Sequence, residues 1–189
     1  MKIYFTGSLH GGVGKDVYGK IVGFLEKIGH KVMSDHILKM TTGEIDNRTH
    51  DQRLKYHRKM NKMITSCDLV VCEVSFPSSI SIGHEVTLAL DKGRPVVALY
   101  QPGKEPGVLQ GVKSDRFLLF EYTEKDLDDI LDYAVEEAVE KVDIRFNFFI
   151  SPMIGQYLDH VSKKKKTPRA VYLRRLIEKD MKKNTEYSD

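Results

Sequence analysis

The chain lacks any apolar run that approaches the roughly 20 residues of a membrane span. Its N-terminus is predicted to be a strand from Lys2, without the charged and apolar regions of a signal segment. We therefore expect a cytoplasmic protein with no membrane partner. At 189 residues, it can form one α/β domain or a smaller domain with an appendage.

The chain has two cysteines, too few for a four-cysteine metal site. The two cysteines, Cys67 and Cys72, flank a predicted strand, and their spacing matches no metal or redox motif. We predict that both are reduced thiols packed in the core.

The glycine-rich segment around Gly14 lacks two residues that the phosphate loop of a nucleotide triphosphatase requires. Leu9 stands at the first glycine position, and Asp16 stands where a hydroxyl should bind magnesium. Asp16 would also repel the phosphates. This excludes an ATPase, although the glycines still allow an anion to approach the backbone closely.

Charge is distributed unevenly along the chain. Residues 144–189 hold 11 Lys/Arg and 5 Asp/Glu, whereas residues 1–143 hold 19 and 22. A mildly acidic body with a basic tail indicates two modules with different partners. We place them at residues 1–142 and 143–189.

The hydrophobic periodicity of the first module predicts alternating strands and helices. Strands are predicted at 2–6, 31–33, 68–74, 94–100 and 117–121, and helices at 17–28, 50–66, 80–92 and 123–141. The polar segment 34–49 receives no assignment. This order predicts an α/β fold with a doubly wound, parallel five-stranded sheet.

Two loops, 7–14 and 75–83, follow predicted strands, where parallel sheets bind ligands. Glu85 is predicted to lie in the first turn of the helix after the second loop, where the helix dipole favours a carboxylate. Ser78, Ser79, Ser81 and Gly83 offer hydroxyl and backbone N–H groups for a phosphate or sugar. The spacing equally allows Glu85 to be a capping carboxylate.

Three segments together carry a family resemblance: Tyr4–Ser8, Asp68–Val74 and Pro77–Glu85. In order and spacing, they resemble the nucleoside 2-deoxyribosyltransferase superfamily, nearest to its 2'-deoxynucleoside 5'-monophosphate N-hydrolases. The resemblance covers residues 2–121. It implies a flavodoxin-like domain that cleaves N-glycosidic bonds without a metal or cofactor.

The resemblance also implies roles for individual residues. Glu85 matches the glutamate that attacks the anomeric carbon and forms a glycosyl-enzyme, which water or a second base then resolves. Tyr4 matches the tyrosine that orients this carboxylate, although a strand residue packed in the core would look the same. The predicted substrate-binding residues from the matching positions and the two loops are Gly7, Ser8, His10, Gly11, Ser78, Ser79 and Gly83. Ser114 is added because its neighbour Asp115 falls near a phosphate-contacting serine of the family.

The chain departs from the family pattern at three positions. Met60 stands where the family has an aspartate that contacts the sugar or assists departure of the base, and methionine can do neither. His57, one turn earlier on the same face, is either a replacement proton donor or a solvated residue of a charged helix. His10 replaces an arginine beside the phosphate. Asp115, next to Ser114, would repel a phosphate.

The basic tail predicts a small β-α-α module. Residues 143–150 alternate as a strand, and Ser151-Pro152 and Thr167-Pro168 are typical helix starts. The lone strand needs a partner, which a symmetric dimer would supply. The order of elements resembles a ribbon-helix-helix domain.

That second resemblance implies a β-ribbon, formed by two chains, in the major groove of DNA. Arg145 and Asn147 would then face the bases, and Thr167 and Arg169 would meet phosphates. The same module could instead serve only as a dimer clamp, or the tail could be a solvated charged extension.

Two functions follow from these patterns. The first is a homo-oligomeric N-glycosidase acting on a (deoxy)nucleoside or its 5'-monophosphate, with water or another base as acceptor. The second is a nucleotide-sensing, DNA-binding regulator with a degenerate catalytic pocket. Tyr4 and Glu85 favour the enzyme, whereas Met60 and the basic tail favour the regulator.

Overall fold

The computed structural model describes residues 1–11, 13–140, 149–165, 167–181 and 183–184. The chain divides into two compact units, Met1–Ile144 and Arg145–Asp189. The division falls two residues beyond the predicted boundary.

The first unit is built on a parallel sheet of five strands. They are β1 (Lys2–Gly7), β2 (Lys31–Met33), β3 (Leu69–Glu73), β4 (Val96–Tyr100) and β5 (Phe117–Glu121). The strand order is β2-β1-β3-β4-β5, and every neighbouring pair is parallel. Because helices cover both faces of the sheet, the central strands are apolar along almost their whole length. The predicted flavodoxin-like, doubly wound sheet is confirmed.

Six helices and one short 3₁₀ helix accompany this sheet in the described part of the first unit. They are α1 (Lys15–Lys27), α2 (Asp35–Leu38), α3 (Thr42–Asp46), α4 (His50–Ser66), α5 (Ile80–Asp91), the 3₁₀ helix Gly107–Gly111 and α6 (Leu127–Glu140). Helices α1 and α6 pack on one face, in a core that includes Phe5. Helices α4 and α5 pack on the other face, in a core that includes Tyr4.

The segment left unassigned, 34–49, forms the two short helices α2 and α3. Capping boxes begin both α3 and α4: Thr41 pairs with Glu44, and Thr49 pairs with Gln52. In each, a threonine hydroxyl and the side chain three residues later satisfy each other's backbone N–H groups. This spacing is visible in the sequence and could have located α3, whereas α4 was predicted with the bounds that it has.

Helix α6 begins at Leu127, four residues later than predicted. The Thr123 backbone N–H donates to Asp126 Oδ1 at 2.6 Å, which holds the preceding residues in a turn.

Cys67 and Cys72 are buried, free thiols, as predicted. Burial raises the pKa of Cys67 to about 11, so its reactive thiolate form is scarce at neutral pH. No described helix is both long and apolar enough to cross a membrane.

The second unit contains α7 (Pro152–Lys165) and α8 (Arg169–Met181). At the start of α7, Ser151 Oγ accepts from the Ile154 backbone N–H at 3.4 Å. In the predicted strand 143–150, residues 143–148 lie outside the described residues, and residues 149–150 have no regular structure. The ribbon-helix-helix module therefore stays a prediction.

Candidate functional site

A cavity of about 420 Å³ opens where β1 ends and α5 begins. It lies at the carboxyl edge of the sheet, where parallel α/β sheets bind ligands. Its walls come from the loop after β1, from the segment α2 to α4, and from the first two turns of α5. The lining residues are Thr6, Gly7, Leu9, His10, Ile37, Ile45, Asp46, Arg48, Arg53, Tyr56, Ser79, Ser81, Ile82 and Glu85.

Two glycines allow the loops around the cavity to approach closely. A Cβ at Gly7 would lie 2.6 Å from Tyr18 Cζ, so no larger residue fits beneath that ring. Gly11 has a φ of +83°, and a Cβ there would lie 2.9 Å from the Pro77 Cγ and carbonyl oxygen. The loop after β1 therefore packs directly against the loop before α5.

Glu85 lies deeper in its helix than its predicted position. It is the sixth residue of α5 and so belongs to the second turn, not the first. The effect of the helix dipole falls off within the first turn and contributes little here. The side chain is 3% exposed, and this burial raises the pKa of the carboxyl group. Desolvation is thus the largest influence on the pKa of Glu85, and it favours the neutral form. This corrects the expectation that the helix dipole favours the ionised form.

Tyr4 holds the Glu85 carboxylate from the neighbouring strand β1. Its hydroxyl donates to Glu85 Oε2 at 3.0 Å, and both residues are buried. Burial first, and then Glu85, raises the pKa of Tyr4 well above its ordinary value, so the phenol remains a donor. The Thr6 hydroxyl is near enough to lower the pKa of Glu85, yet it makes no well-formed hydrogen bond among the described residues.

An aromatic and cationic group lies beside Tyr4 and reaches the cavity wall at Arg48 and Tyr56. The rings of Tyr4 and His36 stack at 4.8 Å between centroids, and the Arg48 guanidinium lies 4.0 Å from the Tyr56 ring centroid. Burial, then Lys59, lowers the pKa of His36 to about 4, so this imidazole is neutral at pH 7. His36, Arg48 and Tyr56 were absent from the predicted site.

Several predicted substrate-binding residues do meet at the cavity. Gly7, His10 and Ser79 line it together with Glu85. His10 Nε2 lies 3.0 Å from Asp46 Oδ1, on a neighbouring wall. Ser8 is buried beside them, and its hydroxyl donates to the His10 carbonyl oxygen at 2.8 Å.

Other predicted residues stand beside the cavity instead of on its wall. Gly11 approaches Pro77, and Ser78 is exposed in the loop that leads to Ser79. Gly83 lies on α5, where its carbonyl oxygen accepts from the Thr87 hydroxyl at 2.9 Å.

Ser114 lies at the opposite edge of the sheet. It precedes β5 by three residues, and its hydroxyl accepts from the Arg116 backbone N–H at 3.3 Å. The five residues of β5 span about 16 Å, so Ser114 is remote from Glu85 of the same chain.

His57 and Met60 do not line this cavity. His57 is exposed, and its Nε2 lies 3.4 Å from His84 Nε2. Met60 is 3% exposed and belongs to the apolar core. The residues of α4 that do line the cavity are Arg53 and Tyr56.

Two of the four predicted DNA-contacting residues are described. Thr167 lies just before α8, and its hydroxyl donates to the Lys165 carbonyl oxygen at 3.0 Å. Arg169, the first residue of α8, forms an ion pair with Asp159. Arg145 and Asn147 lie outside the described residues.

No family model matches the chain, but curated proteins do. A Nematostella vectensis protein named as a 2'-deoxynucleoside 5'-phosphate N-hydrolase is 34% identical over 136 residues, which are 69% of this chain and 90% of that protein. The 5-hydroxymethyl-dUMP N-hydrolase of Rattus norvegicus is 27% identical, covering 71% of this chain and 84% of that protein.

Two solved structures share the fold. A CMP N-glycosidase of Clostridium botulinum covers 70% of this chain and 99% of its own length, with 18% identity and a TM-score of 0.50. The solution structure of BlsM covers 80% of this chain and 97% of its own length, with 16% identity and a TM-score of 0.58.

Proposed function

The chain belongs to the family of 2'-deoxynucleoside 5'-phosphate N-hydrolases, and we propose that it cleaves the N-glycosidic bond of a (deoxy)nucleoside or its 5'-monophosphate with Glu85 as nucleophile. The observation that carries this proposal is the hydrogen bond from buried Tyr4 to Glu85, which lines the cavity. A buried carboxylate that accepts from one phenol at 3.0 Å and lines a cavity of about 420 Å³ supports an attack on a bound sugar.

The proposed reaction consists of two displacements at one carbon. The Glu85 carboxylate forms a bond to the anomeric carbon, the bond to the base nitrogen breaks, and the base leaves with the electron pair. Water or a second base then attacks the same carbon and releases Glu85. Tyr4 donates to the ionised carboxylate, which lowers the pKa of Glu85 and opposes the effect of burial.

Residues on both sides of the cavity suit a sugar bearing a phosphate. The loop from Gly7 to Gly11 and the start of α5 at Ser79 offer backbone N–H and hydroxyl groups. Arg48 and Arg53 line the same cavity, and no described carboxylate lies within ion-pair distance of either guanidinium. These cations favour an anionic substrate.

The predicted homo-oligomer would give Ser114, the predicted substrate-binding residue that lies far from Glu85, a way to reach a cavity. Because Ser114 lies at the far edge of its own sheet, it would reach a cavity only from a second copy of the chain. Oligomeric state and cytoplasmic location stay predictions.

Chromatographic base release tests the proposal. Wild type and Glu85→Gln would be incubated with ribo- and 2'-deoxyribonucleosides and their 5'-monophosphates, with and without an added free base. We expect release that depends on Glu85, and incorporation of the added base would identify a transferase. Undiminished release by Glu85→Gln would refute the proposed nucleophile.

The regulator is the second candidate, favoured by the burial of apolar Met60 and by the basic end of α7. Lys163, Lys164 and Lys165 are exposed there. A DNA-binding tail would give an affinity that falls steeply with salt. Fluorescence anisotropy on duplex DNA at several salt concentrations would measure it, and absent binding at low salt would remove this candidate.

A further inference from the structure

Helix α4 presents Tyr56 to the cavity beside Glu85. Tyr56 lies one turn before Met60 on the same helical face, and it lines the cavity together with Glu85. The adjacent His57 is exposed beside His84 and does not line the cavity. Arg53 also lines the cavity from α4, but its guanidinium donates to the Asp46 carbonyl oxygen, whereas Tyr56 interacts with Glu85.

Resting on the proposed glycosidase function, we propose that Tyr56 is a catalytic residue whose hydroxyl donates a hydrogen bond to the departing base. The base leaves with the electron pair of the broken bond and therefore becomes more negative in the transition state. A fixed donor at that point stabilises the developing charge more than it stabilises the bound substrate. The base can then take its proton from water.

The surroundings of Tyr56 keep its phenol protonated. Burial first, and then the nearby Glu85 carboxylate, raises the pKa of Tyr56 to about 12. At neutral pH, the hydroxyl is thus a donor. The Tyr4 hydroxyl is close enough to lower the pKa of Tyr56, which places both phenols next to the nucleophile.

Arg48 fixes the ring and adjusts its strength as a donor. Its guanidinium carbon lies 4.0 Å from the centroid of the Tyr56 ring, a cation–π distance. The positive charge also lowers the pKa of Tyr56, which makes the phenol a better donor. Arg48 acts through Tyr56 and is a positioning residue in this proposal.

The test compares departing bases of different acidity. Hydrolysis would be measured for a series of 2'-deoxyuridine 5'-monophosphates with methyl, hydrogen, fluoro and nitro substituents at C5, which make the departing base progressively more acidic. Tyr56→Phe should slow the methyl substrate by about 100-fold and the nitro substrate by less than about fivefold. A merely structural role would slow every member of the series by the same factor.

The matched control is His57→Phe, which introduces the same residue one position along α4, outside the cavity lining, and should leave the dependence on the departing base unchanged. Melting temperatures would show that both variants fold, and Arg48→Met should give a weaker version of the Tyr56→Phe trend. An equal loss on all substrates, or no loss, would overturn the role of Tyr56.

Failure of the underlying function would look different. Base release by Glu85→Gln at the wild-type rate would refute the glycosidase itself, whatever Tyr56→Phe does. Release that needs Glu85 but shows a uniform Tyr56→Phe effect would refute only the assignment of Tyr56.

Discussion

Two buried glutamates lie at the same edge of the sheet but on opposite faces. Glu85 packs on the side of α4 and α5, whereas Glu73, at the end of β3, packs on the side of α1 and α6. Their exposures are 3% and 1%, and burial raises the pKa of both. What differs is their partners. Glu73 Oε1 accepts from the Ser75 hydroxyl at 2.5 Å, the Ser75 backbone N–H at 3.3 Å and the Tyr122 hydroxyl at 3.3 Å.

The comparison shows that burial alone does not identify a reactive carboxylate. Glu73 does not line the cavity that Glu85 lines, and its partner Ser75 also accepts from the Gln101 backbone N–H at 2.8 Å. Through Ser75, Glu73 therefore stabilises the contact between the loops that follow β3 and β4. Glu85 accepts one well-formed hydrogen bond, from Tyr4, and faces a cavity. Access to the cavity, together with few competing donors, distinguishes Glu85.

Replacing each glutamate by glutamine should separate their roles most widely. Glu85→Gln removes the nucleophile and should lower the rate of base release by about 10⁴-fold or more. Glu73→Gln keeps an acceptor for Ser75 and Tyr122 and should stay within about threefold of wild type. Steady-state kinetics measures both. A similar loss for the two variants would break the comparison.

Removing the tyrosine hydroxyl that donates to each glutamate should also affect kcat more at Glu85 than at Glu73. The difference should be smaller than the one between the two glutamine variants. Tyr4→Phe removes a hydrogen bond to a charged group, worth about 1.5–3 kcal/mol, and should lower kcat by about 10- to 100-fold. Tyr122→Phe removes the corresponding bond to Glu73 and should change kcat little. Equal effects of the two variants would argue against a special role for Tyr4.

The pH profile of kcat/KM should report Glu85 and not Glu73. Since the nucleophile must be ionised and burial raises its pKa, activity should fall with decreasing pH at a higher pH than for an ordinary glutamate. Tyr4 lowers the pKa of Glu85, so Tyr4→Phe should move this acid limb to still higher pH. Glu73→Gln should leave the limb in place, and a shift by that variant would contradict the assignment.

The two glutamine variants should change thermal stability in the same way. These changes should be the smallest of the predicted effects. The ordinary pKa of a glutamate is 4.5, and the pKa of each of these two is raised in the folded state. Between those two pH values, the folded state therefore binds more protons than the unfolded state. The free energy of unfolding therefore decreases as pH rises through that window. Both glutamine variants should melt slightly above wild type at neutral pH and lose this advantage below pH 4.5. Melting curves across pH test this, and a neutral-pH loss in either variant would contradict it.

The sheet and the pairing of Tyr4 with Glu85 could be predicted from the sequence for a physical reason. Apolar strands followed by small-residue loops are local patterns, and parallel pairing brings Tyr4 on β1 and Glu85 on α5 to one edge. The helix begins at Ile80, as predicted, but Glu85 is its sixth residue, so the expectation of a carboxylate in the first turn was wrong by one turn.

The rest of the site depends on tertiary packing. Which of the adjacent residues Tyr56 and His57 lines the cavity depends on how α4 is rotated against the sheet, and one residue changes that direction by about 100°. The cavity wall from Ile37 to Arg48 comes from the polar segment 34–49, where the capping box of Thr41 and Glu44 is the local signal for α3. Ser114 was predicted because it adjoins Asp115, which falls near a phosphate-contacting serine of the family, but Ser114 lies at the other edge of the sheet.

The stereochemistry of methanolysis tests the central claim, a covalent bond from Glu85 to the sugar, most directly. Substrate nucleotides carry the base in the β configuration, and methanol can replace water as acceptor. NMR of the methyl glycoside product would give its configuration. Two displacements through Glu85 predict the β-methyl glycoside. An α-methyl glycoside would mean that the acceptor attacks the substrate directly, and it would contradict Glu85 as a covalent nucleophile.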